Sequence, residues 1–270
     1  KLNLEPELVL NVGDPIGKTN APRCYNKLFE LLDMNAIMLP CEIKKGQLPE
    51  FLDACRLMGI HYLCPTMPHK GDFVDLLDDV DETSRLFRSV NAVRIDENGS
   101  HGVGMDGKGA VRAMLDHGAQ LSGTEAMLYG SGGITGVVAD ELANRTPEKA
   151  ESIARIVRDN TSADAAVIGT DATSLDSAAE RCGLFANLTP LGMTGFPHKH
   201  DYLGFISRLP KNASVFDSVI NPPMSETILA AKENGLNTIP GMYMLVSQMD
   251  LIFDFLFGRK VTNENKEACI

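Results

Sequence analysis

Lys70, Asn91 and Asp106 supply an ammonium, an amide and a carboxylate, each beside turn-forming or short apolar residues. Lys70 closes the stretch Pro65-Thr66-Met67-Pro68-His69-Lys70. Pro68 has no backbone donor and marks a strand end rather than a strand centre. Asn91 lies in Ser89-Val90-Asn91-Ala92-Val93, and Asp106 in Gly104-Met105-Asp106-Gly107. The flanking glycines leave the backbone free to turn and present the carboxylate. A lysine held by a carboxylate beside a polar amide can protonate or deprotonate an alcohol as hydride arrives or leaves. Taken singly, each of these residues is an ordinary surface group. Their order, with a glycine-rich turn downstream, points to catalysis.

The elements around them read as alternating strands and helices. Leu8-Val9-Leu10-Asn11-Val12 is a short apolar run ended by Gly13-Asp14-Pro15, as a buried strand entering a turn. Tyr25, Leu28, Phe29 and Leu32 recur at helical spacing. Met38-Leu39-Pro40 suggests a second strand, and Leu48, Phe51, Leu52 and Cys55 mark a helix that Gly59 closes. Residues 61–66 read as a third strand, with Lys70 just past its end. Such alternation predicts an α/β fold with a mostly parallel sheet, whose ligands gather outside the carboxyl ends of the strands.

After a helix over residues 108–117, Ala126-Met127-Leu128-Tyr129 reads as a strand running into Gly130-Ser131-Gly132-Gly133-Ile134-Thr135-Gly136. An apolar helix follows around Val137, Val138 and Leu142, with Asp140 and Glu141 as solvated charges. Strand, glycine turn and helix together form the context of a dinucleotide fingerprint. The glycines let the backbone approach a pyrophosphate, and the helix N-terminus favours its charge. Asn144-Arg145-Thr146 then comes early. A ribose-reading residue is expected about 20 residues past the glycines, after a second strand, whereas Asn144 is 11 positions after Gly133. Either the second strand is lost, or a segment is missing from the chain between Leu142 and Asn144. We favour the latter, because residues 143–149 look like the loop after such a strand.

Further strands are expected at residues 165–168, 184–187 and 214–219, with Thr189-Pro190-Leu191-Gly192-Met193 as a loop at the ligand edge. A long apolar helix over 242–258 carries one conspicuous amide, Gln248. Its methionines (Met242, Met244, Met249) read as core filler. His69 reads as a loop residue facing away from Lys70. His198 and His200 flank Lys199 without a completing cysteine or carboxylate pattern, so no metal site is expected.

Composition narrows the function classes. The 270 residues allow two domains, and 44% hydrophobic with 23% charged residues is a soluble globular profile. A net charge of −11 argues against sequence-independent nucleic-acid binding. No run of about 18 apolar residues suggests a membrane span, and residues 1–7 lack a signal-peptide core. The six cysteines form no C-x-x-C pair and read as reduced thiols of a cytoplasmic protein.

The ordered motifs resemble the shikimate dehydrogenase family over nearly the whole chain. Gly13-Asp14-Pro15-Ile16-Gly17 looks like its opening turn, and Thr66-Met67-Pro68-His69-Lys70 like its catalytic-lysine segment. Val90-Asn91-Ala92-Val93 looks like its substrate amide, and Asp106-Gly107 like its catalytic aspartate. Gly130-Ser131-Gly132-Gly133, Asn144-Arg145-Thr146, Thr189-Pro190-Leu191-Gly192-Met193 and Met244-Leu245-Val246-Ser247-Gln248 complete the order.

The resemblance implies a substrate-binding and catalytic domain over 1–107 and a Rossmann-like nicotinamide-nucleotide domain over 108–240. The C-terminal helix, 241–270, would return to the first domain. It implies Lys70 and Asp106 as the catalytic pair, with Lys18, Thr19, Thr66, Asn91 and Gln248 on the substrate. Gly130, Ser131, Gly132, Gly133, Asn144, Arg145, Thr146, Thr189, Met193 and Gly241 are implied on the cofactor. NADP is expected, with NAD possible, because Arg145 offers a cation to a ribose 2′-phosphate. The implied reaction is reversible reduction of 3-dehydroshikimate or a related cyclic keto-acid, in the shikimate pathway of aromatic amino acid biosynthesis, by a monomer or homodimer. Quinate or an amino-substituted analogue is the alternative substrate, and a non-catalytic ligand sensor the alternative class.

The family's two carboxylate-holding hydroxyls lie in a Ser-Lys-Ser-Pro segment. Here the segment reads Thr19-Asn20-Ala21-Pro22. Thr19 keeps a hydroxyl and Ala21 does not. Lys18 can bring a point charge to an anion. Ile220 stands where the family has a tyrosine. Weak handling of shikimate is therefore expected.

Overall fold

The computed structural model describes residues 4–17, 19–130, 154–155, 158–159 and 166–269, together with the backbone of 141–143. Its contacts divide the chain into two units, residues 1–106 with 248–270 and residues 107–247.

The first unit is built on a six-stranded sheet. β1 (Glu7–Gly13) is flanked in parallel by β2 (Ala36–Glu42) and β3 (Tyr62–Pro65). The sheet continues through β5 (Ala92–Asp96) and β6 (Gly99–Val103) to β4 (Asp79–Val80), in the order β2-β1-β3-β5-β6-β4. β3–β5 and β5–β6 are antiparallel, so the sheet is mixed. Helices α1 (Ala21–Leu31) and α2 (Leu48–Met58) connect the parallel strands, each with a proline in its first turn. That position suits proline because its missing N–H would have no helical partner there. Gly59 closes α2 in the left-handed conformation, as its place in the sequence predicts. Short helices α3 (Phe73–Leu76) and α4 (Glu82–Phe87) precede the β5–β6 hairpin.

Val12, Leu48, Leu52, Leu63, Phe73 and Val93 form the main core of this unit. Each such side chain contributes about 1.5–3 kcal/mol by leaving water. A second cluster, of aromatic rings, fixes the C-terminal segment. Phe253 packs within 5.5 Å of Tyr25 and 5.4 Å of Phe29, and Phe257 lies 4.7 Å from Tyr62. All five rings belong to α1, β3 and the C-terminal segment.

In the second unit all strand pairs are parallel. The strands are β7 (Ala126–Tyr129), β8 (Glu141–Ala143), β9 (Ala166–Ile168), β10 (Leu184–Asn187), β11 (Ser214–Asp217) and β12 (Asn237–Pro240). Their order, β9-β8-β7-β10-β11-β12, is that of a doubly wound dinucleotide-binding sheet. The chain order reverses between β7 and β10, and that switch point is where such sheets hold ligands. Alternate residues bury on opposite faces. Met127 and Phe185 enter one core with Val215, and Leu128 and Ala186 enter the other with Phe216. Burial on both faces is why these strands read as continuous apolar runs rather than alternating ones.

Three expectations need correction here. Leu142 and Glu141 belong to strand β8, not to a helix, so the second strand is present. β8 pairs in register with β7 (Leu128↔Leu142) and with β9 (Leu142↔Val167). A short apolar run is ambiguous between helix and strand, and here pairing on both sides decides it. The long C-terminal helix is two helices, α8 (Gly241–Ser247) and α9 (Met249–Phe257), broken at Gln248. α8 lies in the second unit and Gln248 opens the returning part of the first. Further α-helices among the described residues are α5 (Asp106–Asp116), α6 (Ala172–Ala179), α7 (Glu226–Glu233) and α10 (Asn263–Glu267).

Candidate active site

Beyond the ends of β1 and β3, the first unit gathers its polar side chains. Thr66 N–H donates to the Val12 carbonyl and Asp14 N–H to that of Met67, which carries the strand pairing into the lysine loop. Val90 N–H donates to the carbonyl of Lys70 itself, which ties the lysine to the segment carrying Asn91. Gly104 serves close approach rather than turning, for a Cβ there would stand 2.0 Å from the Ser89 carbonyl oxygen. That approach brings Asp106 beside Asn91.

The result is one continuous network within the first unit. Lys70 Nζ donates to Asp106 Oδ2 at 2.5 Å. Gln248 Nε2 donates to the other oxygen, Oδ1, at 3.4 Å. Asn91 Nδ2 donates to Gln248 Oε1 at 2.8 Å, and Asn91 Oδ1 accepts from Met105 N–H at 2.8 Å. Asp106 and Gln248 are buried, whereas the Lys70 side chain keeps 24% of its surface exposed. A buried carboxylate is costly unless paired. Here it is paired with the one group that still reaches solvent, so the ammonium can meet an incoming ligand oxygen while Asp106 holds it.

Thr19 stands over the same sheet edge. Its hydroxyl donates to Asn11 Oδ1 at 2.9 Å, and Asn11 Nδ2 donates to the Cys64 carbonyl at 2.8 Å. Asn11 was not singled out from the sequence. Its only signal there is that it is the one polar residue within the apolar run 8–12.

His69, in the turn before Lys70, is fully buried. Its Nε2 lies 2.6 Å from the Ile43 carbonyl, and Nδ1 has no hydrogen-bond partner. A partner 26 residues distant on the segment after β2 draws the ring inward. Lys18 lies outside the described residues.

In the second unit the switch point brings the loops after β7 and β10 together. Gly130 has φ of +134°, and a Cβ on it would stand 3.0 Å from Thr189 Cγ2 and 3.1 Å from the Leu188 carbonyl. Only glycine combines that backbone with that approach. The two loops line a cavity of about 220 Å³ with Tyr129, Leu191, Phe196 and His198. Met193 N–H donates to the Pro190 carbonyl within the same loop. Gly241 opens α8 against the carbonyls of Asp217, Ser218 and Val219, each 2.7 Å from where a Cβ would stand. Parallel order, reversed chain at β7 and β10, and a glycine cradle at that point all fit a dinucleotide. Ser131, Gly132, Gly133, Asn144, Arg145 and Thr146 lie outside the described residues.

Asp217, also missed from the sequence, organises this edge. It is fully buried at the end of β11. Asn187 Nδ2 and Val219 N–H donate to its Oδ1, each at 2.9 Å, and Ser225 Oγ donates to Oδ2 at 2.5 Å. Asn187 Oδ1 in turn accepts from Thr189 N–H and Oγ1. Burial pushes the Asp217 carboxyl up to about 6, against the opposing pull of those donors. Among the described residues no cluster of three His, Cys, Asp or Glu could hold a metal ion, and no helix is long and apolar enough to cross a membrane.

Comparison with known proteins agrees in both units. Residues 12–93 match the family model described as the shikimate dehydrogenase substrate binding domain. A curated relative, shikimate dehydrogenase (NADP(+)) of Alkaliphilus metalliredigens, is 31% identical, covering 98% of this chain and 96% of the relative. A solved structure of shikimate 5-dehydrogenase from Listeria monocytogenes, in complex with shikimate and NAD, superposes with a TM-score of 0.87 at 23% identity. It covers 100% of this chain and 98% of that one. The ligand-free 5-ketofructose reductase of Gluconobacter sp. strain CHM43 superposes at 0.82 and 23% identity, covering 99% of each chain.

Proposed function

The chain belongs to the shikimate dehydrogenase family of oxidoreductases acting on a CH–OH group, and from that premise we propose that it reduces 3-dehydroshikimate or a related cyclic keto-acid reversibly, with NADP(H). The observation that carries the proposal is the 2.5 Å contact between Lys70 Nζ and Asp106 Oδ2, braced by Gln248 and Asn91.

In this reading residues 1–106 with 248–270 hold the substrate, and residues 107–247 hold the nucleotide. When bound, the reduced nicotinamide supplies hydride to the carbonyl carbon. Lys70 donates a proton from Nζ to the carbonyl oxygen as negative charge develops there, and Asp106 holds the ammonium at that point. In the reverse direction Lys70 takes the hydroxyl proton. Thr66, Asn91 and Gln248 orient the ring, with Lys18 and Thr19 toward its acidic end. Gly130, Ser131, Gly132 and Gly133 admit the pyrophosphate, while Thr189, Met193 and Gly241 border the nicotinamide side. Arg145, with Asn144 and Thr146, favours a 2′-phosphate through charge-assisted bonds. That agrees with the NADP(+) in the names of the curated relatives.

Names within this fold range from shikimate dehydrogenase to 5-ketofructose reductase. Substrate identity therefore rests on this chain's own contact residues. Ala21, which lacks a hydroxyl, favours a second reading in which quinate or an amino-substituted analogue is the better substrate. The test is a panel of cyclic hydroxy acids with NADP+ and NAD+, followed by absorbance of the reduced nicotinamide. The proposal expects NADP+ to be reduced in preference to NAD+, with the preference weakened in Arg145→Ala. Failure of every alcohol to reduce either cofactor would refute it.

A further inference from the structure

We propose that Tyr25 is a further substrate-binding residue, whose phenol donates a hydrogen bond to the carboxylate of the cyclic acid from one turn inside α1. The inference rests on the reading above, in which Thr19 lies toward the acidic end of the substrate, and it adds a donor that reading does not use.

The position follows from helix geometry. Thr19 stands just before α1, and Ala21 opens that helix. Tyr25 comes four residues after Ala21, so the two share one helix face. Helical side chains lean back toward the N-terminus, which carries a long ring at position 25 over the turn that Ala21 begins. Ala21 presents only a methyl group on that face, whereas a phenol brings a proton to give.

The ring is clamped. It lies 6.4 Å from Phe29 and 5.5 Å from Phe253, and only 2% of the residue is exposed. Phe253 belongs to α9, the helix that Gln248 opens. Cys64 is the in-register partner of Asn11, which accepts from Thr19. Burial holds the Tyr25 phenol well above its ordinary value, and the neighbouring Cys64, Asp106 and Cys24 oppose loss of its proton further. The hydroxyl therefore stays a donor at neutral pH, among groups of the lysine–aspartate site.

That proton has no taker within the protein. Among the described residues no group forms a hydrogen bond with the Tyr25 hydroxyl. The two Asp106 oxygens already accept from Lys70 and Gln248. Buried polar groups are almost always paired, so an unpaired phenol destabilises the free protein until an acceptor arrives. A carboxylate offers lone pairs only, which suits a group with a proton to give.

The experiment uses the full chain with NADP+ and compares the wild-type protein, Tyr25→Phe, and Tyr25→Phe combined with Ala21→Ser. Phenylalanine keeps the ring and deletes only the oxygen. The Michaelis constants for shikimate and quinate, which share a ring carboxylate, should rise by about tenfold, the size of one hydrogen bond to a charged group. The maximal rate should change far less, because the contact is remote from the reacting alcohol. Ligand-free Tyr25→Phe should melt at or above the wild-type temperature, since it loses an unpaired buried hydroxyl. Ala21→Ser restores a hydroxyl on the same helix face and should recover most of the lost affinity. Unmoved Michaelis constants overturn the assignment. So does a lowered melting temperature of Tyr25→Phe, which would show the hydroxyl bonded inside the protein. Failure of Ala21→Ser to recover affinity places the phenol on another part of the substrate and overturns its role at the carboxylate. No turnover of either acid by the folded wild-type protein overturns the cyclic-acid reading itself, a failure distinct from the others.

Discussion

Replacing Asp217 by asparagine should remove a specific pH dependence of stability. Burial holds this carboxyl at about 6 against an ordinary value of 3.8. At about 1.4 kcal/mol for each pH unit, the gap of roughly two is worth about 3 kcal/mol. Because the folded value is raised, the folded protein binds the proton more tightly than the unfolded chain does. The contribution is fully present below pH 3.8 and is lost as pH rises through about 6. Asparagine mimics the protonated form at every pH. Its Oδ1 can replace the oxygen that meets Asn187 and Val219, and its amide nitrogen would face Ser225 Oγ, which retains a lone pair. Urea unfolding of both proteins from about pH 4 to about pH 7 is the assay. The wild-type protein should lose up to about 3 kcal/mol relative to Asp217→Asn across that window, with no further divergence above it. Parallel pH profiles, or a difference of opposite sign, would refute the reasoning.

Gly130→Ala meets both a positive φ and the 3.0–3.1 Å approach of Thr189 and Leu188. It should raise the Michaelis constant for NADPH and lower stability by about 1–3 kcal/mol in thermal unfolding. An unchanged constant would remove this loop from the cofactor site. Gln248→Leu strips the buried Asn91 amide of its acceptor and Asp106 of a donor. It should cost about 1–3 kcal/mol of stability and lower kcat by roughly tenfold or more, and an unaltered kcat would place Gln248 outside the working network. Ala21→Ser adds a hydroxyl remote from the reacting alcohol, so it should lower the Michaelis constant for shikimate more than it changes the maximal rate. A steady-state comparison showing the reverse would contradict that placement.

Strands β1, β3, β7 and β10 were legible because each is a short apolar run ended by glycine, proline or a polar turn. Those signals are local. Lys70 was legible for the same reason, standing just past β3, whereas Asn91 and Asp106 were legible from the short apolar and turn-forming residues that flank them. The hairpin strand β6 was not. Gly99-Ser100-His101-Gly102-Val103 contains few strand-forming residues, and pairing with β5 imposes its conformation. Nor was the break at Gln248, since methionine, leucine and valine continue the helical pattern on both sides. Its side chain is fixed instead by Asn91 and Asp106, 157 and 142 residues away. Burial of His69 and the roles of Asn11 and Asp217 depend likewise on carbonyls, hydroxyls and amides from other elements. Local spacing carries no trace of these partners.

The central claim is that Lys70, held by Asp106, moves the proton that accompanies hydride transfer. The most direct measurement is the turnover of Lys70→Ala with NADPH and the best keto-acid substrate of the wild-type protein, alongside a thermal melt of each. Turnover should fall by about 10²–10⁴ with the melting transition retained. Near-normal turnover in a folded Lys70→Ala protein would contradict the account.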